Sequence, residues 1–302
     1  MPSGGYAWWY IDALSDDRRH GLTLIAFIGS VFSPYYALRR RRAGADPENH
    51  IAINVALYGS DGHRWTMTER GKSALYRDAA TLTIGPSQLA WQPDGTLVIA
   101  IDEVSVPLPR RVRGRITVRP HARGTTTFAL DPAGRHVWRP MAPRARIEVA
   151  LDGAGTSWSG DGYVDHNRGV EPLEAAFRTW SWSRTVERGV TRIFYDTVLK
   201  DGSESGLHVA FADSGDPSVI PAPPLGPFGR SLWQLQRQAR TDDAEGPRLL
   251  EVWEDGPFYA RCLIEQRLGG TTVPAVHETL SLDRFTRPIV QMMLPFRMPR
   301  RA

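Results

Sequence analysis

Hydrophobic and polar residues alternate with a period of two along most of the chain, in short runs bounded by Gly, Pro, Asp and Asn. Alternation of this kind is typical of half-buried β-strands. It predicts strands at residues 51–58, 63–69, 80–84, 88–92, 96–103, 113–119, 125–130, 144–151, 160–166, 175–185, 189–199, 207–212, 232–237, 248–253, 259–268 and 271–280. Helical periodicity is scarce, and its best candidate, residues 283–294, is interrupted by Pro288.

Turn signals between these runs predict hairpins and define a fold class. The turn pairs are Asp61-Gly62, Asp94-Gly95, Asp201-Gly202 and Gly269-Gly270. So many antiparallel strands indicate an all-β fold of two β-barrel or sandwich domains. The strands divide most evenly near residue 170, which predicts domains at residues 1–170 and 171–302. Residues 213–229 are predicted as a long loop, and the apolar residues 22–38 as a buried strand followed by a loop.

The composition narrows the class of protein. Of 302 residues, 41% are hydrophobic, which excludes intrinsic disorder. The single cysteine, Cys262, excludes an intramolecular disulfide and Cys-based zinc or iron–sulfur sites, and a reducing compartment is the simplest interpretation. Residues 1–10 contain no basic segment followed by an apolar one, so no signal peptide is expected.

The charged residues favour a lipid partner over nucleic acid. There are 37 basic and 33 acidic residues, a net charge of +4, and the basic residues are almost all arginine. Acidic residues are interleaved throughout and no basic-aromatic motif recurs, so no nucleic acid partner is expected. The run Arg39–Arg42 is interpreted either as a solvated loop or as a patch for anionic lipid, at about 1 kcal/mol per basic residue.

Two short segments, residues 134–140 and 160–169, gather residue types that suit catalysis. If both are extended, His136 and Trp138 share one face of the first segment. Tyr163, Asp165 and Asn167 then share one face of the second. Around a common cavity these faces would bring together an acid, a histidine and two aromatic rings. The alternative is that the two aromatic residues belong to the core and Asp165 lies in a turn.

Other chemistries have little support in the sequence. Asp165 and His166 are adjacent, so on a strand they point to opposite faces and rarely bind one metal ion together. No His-x-x-x-His motif or carboxylate cluster supplies further ligands, so we expect no metal site. The chain also has no nucleophile elbow, Walker loop or dinucleotide fingerprint after a strand.

Four segments of the chain resemble one known family. They are residues Gly4–Leu14, Ala26–Tyr36, Gly162–Asn167 and Phe177–Arg184. They resemble hydroxyneurosporene synthase, the acyclic carotenoid 1,2-hydratase family of purple photosynthetic bacteria, and the likeness extends to about residue 296. The resemblance implies two lipocalin-like β domains and a cofactor-free addition of water to a terminal carotenoid double bond. It also implies functional positions at a His-x-Trp and a Tyr-x-Asp motif, which here are His136, Trp138, Tyr163 and Asp165.

The chemistry of hydration agrees with these residue types. Protonation of carbon 2 leaves a tertiary cation at carbon 1, and the donor has to be a neutral acid. Burial raises the pKa of a carboxyl group, so Asp165 is our candidate acid. His136 is expected to hydrogen-bond Asp165 and return a proton, and the rings of Trp138 and Tyr163 to face the cation. Tyr163 or Asn167 is expected to orient the water; Trp180 and Trp182 are candidate substrate-binding residues of a tunnel, with core packing as their alternative role.

A carotenoid substrate implies a membrane partner. Acyclic carotenoids are insoluble in water, so we expect peripheral contact with lipid at the cytoplasmic side of the inner or intracytoplasmic membrane. Phe32, Tyr35 and Tyr36 are expected at an apolar pocket mouth, with Arg39–Arg42 near lipid headgroups. Two other functions remain open: a non-catalytic carotenoid or lipid carrier, and another terpenoid-converting enzyme on the same scaffold.

Overall fold

The computed structural model describes residues 1–41, 44–59, 62–152 and 157–301, and it confirms the predicted all-β fold. The described chain forms two compact units. The first contains residues 1–172 and 292–302, and the second contains residues 173–291. The predicted boundary after residue 170 lies two residues from this division. Residues 292–302, which the sequence assigned to the second domain, belong instead to the first unit, because Arg300 pairs there with the buried Glu69.

The first unit contains one large antiparallel sheet. Its strands are β1 (Tyr6–Ser15), β2 (His20–Ile28), β3 (Ile51–Gly59), β4 (Arg64–Arg70), β5 (Leu75–Arg77), β6 (Thr81–Ile84), β7 (Ser87–Trp91), β8 (Leu97–Val104), β9 (Arg111–Pro120), β10 (Phe128–Ala129), β11 (His136–Leu151) and β12 (Ser157–Gly169). The strand order is β4-β3-β2-β1-β12-β11-β9-β8-β7-β6-β5, with β10 paired to β11. The N-terminal strand therefore lies in the middle of the sheet, next to β12.

The two faces of this sheet differ in chemistry. Ile11, Leu24, Ile53 and Val164 lie on one face and belong to a large aliphatic core. Residues at the alternate positions of β1 are aromatic or polar, yet they are buried as well (Tyr6, Trp8, Tyr10 and Asp12). Since successive side chains of a strand point to opposite faces, β1 separates an apolar core from an aromatic and polar face.

The second unit is built on a smaller antiparallel sheet. Its strands are β13 (Phe177–Glu187), β14 (Val190–Leu199), β15 (Glu204–Phe211), β16 (Pro217–Val219), β17 (Leu225–Arg230), β18 (Gln236–Arg240), β19 (Arg248–Asp255), β20 (Tyr259–Leu268) and β21 (Thr271–Ser281). Seven of them follow the order β16-β15-β14-β13-β21-β20-β19, and β17 pairs with β18 separately. Cys262 is buried in its core, and burial raises the pKa of the thiol to about 12, so this cysteine is chemically inert.

Helices are few and short, as the sequence predicts. They are α1 (Pro34–Arg40), α2 (Leu173–Ala176), α3 (Leu282–Phe285) and α4 (Pro288–Met293), and single 3₁₀ turns lie at Pro47–Asn49, Lys72–Ala74 and Leu294–Phe296. Pro288 separates α3 from α4, which confirms the predicted interruption. Among the described residues, no helix is long and apolar enough to cross a membrane.

Three local predictions need correction. The loop predicted at the end of residues 22–38 contains most of α1, because Ser33 caps this helix by accepting a hydrogen bond from the backbone N–H of Tyr36. The predicted loop 213–229 contains β16 and most of β17. The strand predicted at 232–237 begins only at Gln236, because a turn at residues 231–235 places Gln234 at a φ of 62°.

Turn glycines account for three of the predicted hairpins. Gly95, Gly202 and Gly270 have φ values of 89°, 89° and 84°, a backbone region that favours glycine. They connect β7 to β8, β14 to β15 and β20 to β21. These hairpins are confirmed, whereas the predicted turn at Asp61-Gly62 lies partly outside the described residues, as does the run that ends at Arg42.

Candidate active site

Three neighbouring strands, β1, β12 and β11, position the predicted catalytic residues. Asp165 on β12 lies directly opposite Tyr10 on β1 and Pro140 on β11. Asn167 lies opposite Trp8 on β1 and Trp138 on β11. Because directly opposite residues of antiparallel strands point to the same face, the aromatic and polar face of the sheet carries the candidate site.

Three of the predicted residues meet at one carboxylate oxygen. Oδ2 of Asp165 accepts a hydrogen bond from the indole Nε1 of Trp138 at 2.9 Å and another from the Tyr163 hydroxyl at 2.8 Å. Trp138 Nε1 also lies 2.9 Å from the Tyr163 oxygen, which closes the triangle. Trp138 and Tyr163 are fully buried and Asp165 is 2% exposed. The structure therefore gives the polar atoms of both aromatic residues a defined partner, the candidate acid.

His136 lies at another part of the same face. Its Nδ1 is 2.8 Å from the Tyr6 hydroxyl and its Nε2 is 3.4 Å from a carboxylate oxygen of Glu171. Because a carboxylate only accepts, Nε2 carries the ring hydrogen and Nδ1 accepts from Tyr6. Burial lowers the pKa of His136, against the opposing effect of Asp131 and Glu171, so the ring is neutral near pH 7.

The register separates His136 from Asp165 along the strand. His136 is paired with Gly169, whereas Asp165 is paired with Pro140, four residues further along β11. Four residues of strand span about 13 Å. The predicted hydrogen bond between His136 and Asp165 is therefore wrong, because the strand register holds the two residues too far apart and the ring nitrogens of His136 bond Tyr6 and Glu171 instead.

The sequence interpretation did not assign site roles to the β1 residues on this face. Tyr6 stacks on Trp8 with ring centroids 4.9 Å apart, and Tyr10 meets Tyr163 edge to face at 6.1 Å. Asp12, fully buried, lies opposite Tyr163. The signal was present in the sequence, because aromatic or acidic residues occupy every second position from 6 to 12. Its meaning required knowing that β1 pairs with β12.

His166, the neighbour of Asp165, belongs to the opposite face. Its ring packs against Trp9 at 4.8 Å, whereas Asp165 contacts Trp138. Burial, followed by the nearby charges of Arg168 and Arg139, lowers the pKa of His166 to about 4. As the strand geometry predicts, Asp165 and His166 do not share a site. Within the described ranges, no three His, Cys, Asp or Glu side chains are grouped so as to hold a metal ion.

The remaining predicted residues lie in two places. Asn167 is 1% exposed and belongs to the same face as Asp165. Trp180 and Trp182 are buried on β13 in the second unit, where Trp180 packs against Phe177 and Tyr195. Trp180 also lines a cavity of about 600 Å³ whose wall includes the Asp196–His208–Arg240 hydrogen-bond network, together with many Gln, Ser and Thr side chains. A substrate-binding role for the two tryptophans stays a prediction.

Comparison with known proteins places this fold and site in an enzyme class. The sequence profile of the carotenoid hydratase CrtC family matches residues 24–302. The acyclic carotenoid 1,2-hydratase of Thiocapsa roseopersicina is 53% identical over 98% of this chain and 73% of its own length, and that of Rubrivivax gelatinosus is 47% identical over 100% and 75%. The Cereibacter sphaeroides enzyme of the same name is 44% identical over 92% of this chain and 98% of its own length. The protein is an enzyme of the hydratase class. It belongs to the CrtC carotenoid hydratase family, which confirms the resemblance.

Solved structures support the lipocalin-like fold. A Nitrosomonas europaea protein described as a possible AttH aligns with a TM-score of 0.61 at 12% identity, over 91% of this chain and 92% of its own. CghA with Sch210972 aligns with a TM-score of 0.57 at 14% identity, over 92% of this chain and 89% of its own. At such identities the likeness concerns the fold alone, and it agrees with the two lipocalin-like β domains expected from the sequence.

Proposed function

We propose that this chain hydrates the terminal carbon 1–carbon 2 double bond of an acyclic carotenoid of the neurosporene or lycopene type, as a step in carotenoid biosynthesis and without a cofactor. The observation that carries the proposal is the buried carboxyl of Asp165, whose Oδ2 accepts hydrogen bonds from Trp138 and Tyr163. The names of the curated relatives supply the substrate class. A neutral acid in a dry site is what protonation of an unactivated alkene requires.

We assign the acidic proton to one of the two carboxyl oxygens of Asp165. Burial penalises the charged carboxylate, which favours the neutral acid in the resting enzyme. Because Oδ2 already accepts two hydrogen bonds, it acts as the carbonyl oxygen, and Oδ1 carries the proton. The π electrons of the alkene take this proton at carbon 2, the Oδ1–H bond breaks, and a tertiary cation forms at carbon 1. The negative charge that develops on Asp165 is stabilised by Trp138 and Tyr163.

Asp165 also completes the reaction. Water adds its oxygen lone pair to carbon 1, and the carboxylate of Asp165 takes the proton that the water loses. The net change is the addition of one water molecule, with Asp165 neutral again and no electron transferred to or from the substrate. We assign the orientation of this water to Asn167, which lies on the same face of β12 as Asp165, two residues further along the strand. The rings of Trp138 and Tyr163 stabilise the cation by roughly 0.5–2 kcal/mol each.

His136 acts as a positioning residue in this scheme. Its two ring nitrogens are hydrogen-bonded to Tyr6 and Glu171, and its backbone N–H donates to Asp131 at 2.7 Å. These contacts fix the Tyr6–Trp8 stack that continues the face of Asp165. Trp180 and Trp182 of the second unit are kept as candidate substrate-binding residues.

The burial of the site supports an enzyme over a carrier. A carrier needs an apolar cavity but no acid held at a defined position, and His136 and Asp165 facing solvent would favour it. They are 0% and 2% exposed, and Asp165 is held by two donors.

We further propose that the enzyme works as a peripheral protein at the cytoplasmic side of the inner or intracytoplasmic membrane, because its substrate dissolves only in lipid.

The test is turnover of detergent-solubilised lycopene or neurosporene in D₂O, with the products analysed by mass spectrometry. We expect a product heavier by one water, with deuterium at carbon 2, from an enzyme treated with chelators. Asp165→Asn keeps the size of the side chain but removes the acidic proton, so it should abolish turnover without unfolding the protein. Asp161→Asn is the matched control, because the Asp161 side chain is on the same strand but 47% exposed. Normal turnover by folded Asp165→Asn would disprove the assigned acid.

A further inference from the structure

The C-terminal helical segment exposes an apolar face to solvent. Ile289 and Met292 on α4 are 60% and 63% exposed, and Phe296 in the following 3₁₀ turn is 81% exposed. Ile289 and Met292, three residues apart, lie on one side of α4, and Phe296 follows in the 3₁₀ turn. We define Ile289, Met292 and Phe296 as the C-terminal apolar face.

The other side of the same segment is anchored in the protein. Val290 and Leu294 are each 5% exposed, and Met298 is 6% exposed. Beyond them, the backbone N–H of Glu69 donates to Pro299, and Arg300 contacts Asn49 and Glu69. The segment is therefore firmly attached, and its exposed side is a defined surface rather than a frayed end.

The charged residues of this segment are all basic. Residues 284–301 contain five arginines and no acidic residue. Arg287, Arg297 and Arg301 are exposed. The acidic neighbour Asp283 is itself paired with Arg178 and Lys200. An apolar helix face flanked by exposed arginines is the pattern of a helix that lies in the interface of an anionic bilayer.

We propose that the C-terminal apolar face inserts into the headgroup region of an anionic bilayer and so docks the enzyme on the membrane. The proposal rests on the proposed function, because only a water-insoluble substrate requires such docking. A second copy of the chain fits this surface less well. A stable protein interface buries about 800 Å² per partner, more than three side chains supply, and two such faces would bring their arginines together.

The lipid-contacting surface that the sequence predicted, around Tyr36 and Arg39–Arg42, fits a bilayer less well than the C-terminal apolar face. Tyr36 is fully buried, its hydroxyl donates to Gly5, and Arg40 stacks over its ring at 4.6 Å. On α1 only Leu38, 54% exposed, is a large exposed hydrophobic residue next to the exposed Arg39. Helix α1 thus exposes one large apolar side chain, whereas the C-terminal segment exposes three.

Vesicle co-sedimentation tests the proposal. We expect the protein to bind phosphatidylcholine vesicles that contain phosphatidylglycerol, and to bind pure phosphatidylcholine vesicles at least tenfold more weakly. The triple variant Ile289→Ser/Met292→Ser/Phe296→Ser should bind the anionic vesicles at least tenfold more weakly than the wild type. The charge-reversal variant Arg287→Glu/Arg301→Glu should lose binding to the same extent. The matched controls are the double variant Leu38→Ser/Arg39→Glu and the single variant Val219→Ser at a 73% exposed position, and both should bind as the wild type does.

A labelled variant keeps the test decisive if the triple variant is unstable. Cys262 is buried, so Phe296→Cys provides a single reactive thiol for an environment-sensitive dye. The emission of the dye should rise with anionic vesicles, whereas the same dye at Val219→Cys should not respond. Unchanged vesicle binding by the triple variant, or an unresponsive dye at residue 296, overturns the proposal.

Turnover measurements separate this proposal from the proposed function. The triple variant should hydrate detergent-solubilised lycopene at the wild-type rate, but vesicle-embedded lycopene at least tenfold more slowly. A protein that binds vesicles through this face without hydrating any carotenoid would disprove the proposed function alone. A hydratase whose activity on vesicle-embedded lycopene is unaffected by the triple substitution would disprove the docking surface alone.

Discussion

At the scale of single residues, the geometry around Asp165 makes the two aromatic residues donors to the acid rather than simple core residues. We predict that Tyr163→Phe and Trp138→Phe each lower kcat about 10- to 100-fold, because each removes one hydrogen bond from the carboxylate that forms, at ~1.5–3 kcal/mol per bond to a charged group. The measurement is turnover of solubilised lycopene, with circular dichroism as the folding control. The nearby Tyr10→Phe, which keeps the ring against Tyr163, should be much milder.

The double variant gives a sharper result at the same scale. Both donors act on one oxygen, Oδ2 of Asp165, so their effects should not be independent. Trp138→Phe/Tyr163→Phe should show a coupling free energy above 0.5 kcal/mol in a double-mutant cycle on kcat. Strict additivity would mean that the two residues act on the reaction through separate contacts.

At the scale of elements, close packing of β12 against β11 depends on a glycine. A Cβ added at Gly162 would lie 2.2 Å from Cδ1 of Ile147 on the neighbouring strand. We predict that Gly162→Ala lowers the free energy of unfolding by ~1–3 kcal/mol, as overpacking does, and displaces Tyr163, so turnover falls as well.

Truncating the opposing side chain provides the control for that strand contact. Ile147→Ala alone should cost ~2–5 kcal/mol, because Ile147 is fully buried. Combined with Gly162→Ala, it should cost less than the sum of the two single changes, since the added methyl fills the space that is vacated. Urea denaturation measures all three variants, and a double variant whose loss of stability equals or exceeds the sum of the two single losses would contradict the packing argument.

At the scale of the whole molecule, the half-buried His166 and the buried His277 make stability depend on pH. Burial lowers the pKa of His166 to about 4 and that of His277 to about 3. Below pH 6.5 the unfolded chain protonates these residues before the folded protein does, so it binds more protons. The free energy of unfolding should therefore decrease as pH falls from 6.5 towards 4, by up to about 1.4 kcal/mol per pH unit for each histidine, and should gain nothing from them above pH 7.

Denaturant midpoints between pH 7.5 and 5 check this dependence. His166 lies in the first unit and His277 in the second. His166→Gln and His277→Gln should each make the denaturant midpoint of the protein depend less steeply on pH. Variants that retain the full wild-type slope would show that other groups cause it.

The sequence by itself determined most of the strands, though not β1, together with several of the turns and the identity of the key motif. The period-two pattern marks strands directly, because it follows from the alternating direction of side chains in one segment. Asp94-Gly95 and Gly269-Gly270 mark turns for an equally local reason, since glycine adopts a positive φ without strain. The motif around Asp165 was visible because Tyr163 and Asp165 belong to one strand and share a face.

Tertiary structure alone decided which strands become neighbours, and therefore which residues complete the site. Tyr6 and Glu171 meet His136 because β1 pairs with β12 and the chain turns after β12, contacts that join residues up to 130 positions apart. It also decided that Tyr36 is buried, that residues 34–40 are helical and that residues 292–302 pack with the first unit. Local patterns specify the direction of side chains within an element, whereas the pairing of distant elements depends on the free energy of the whole packed chain.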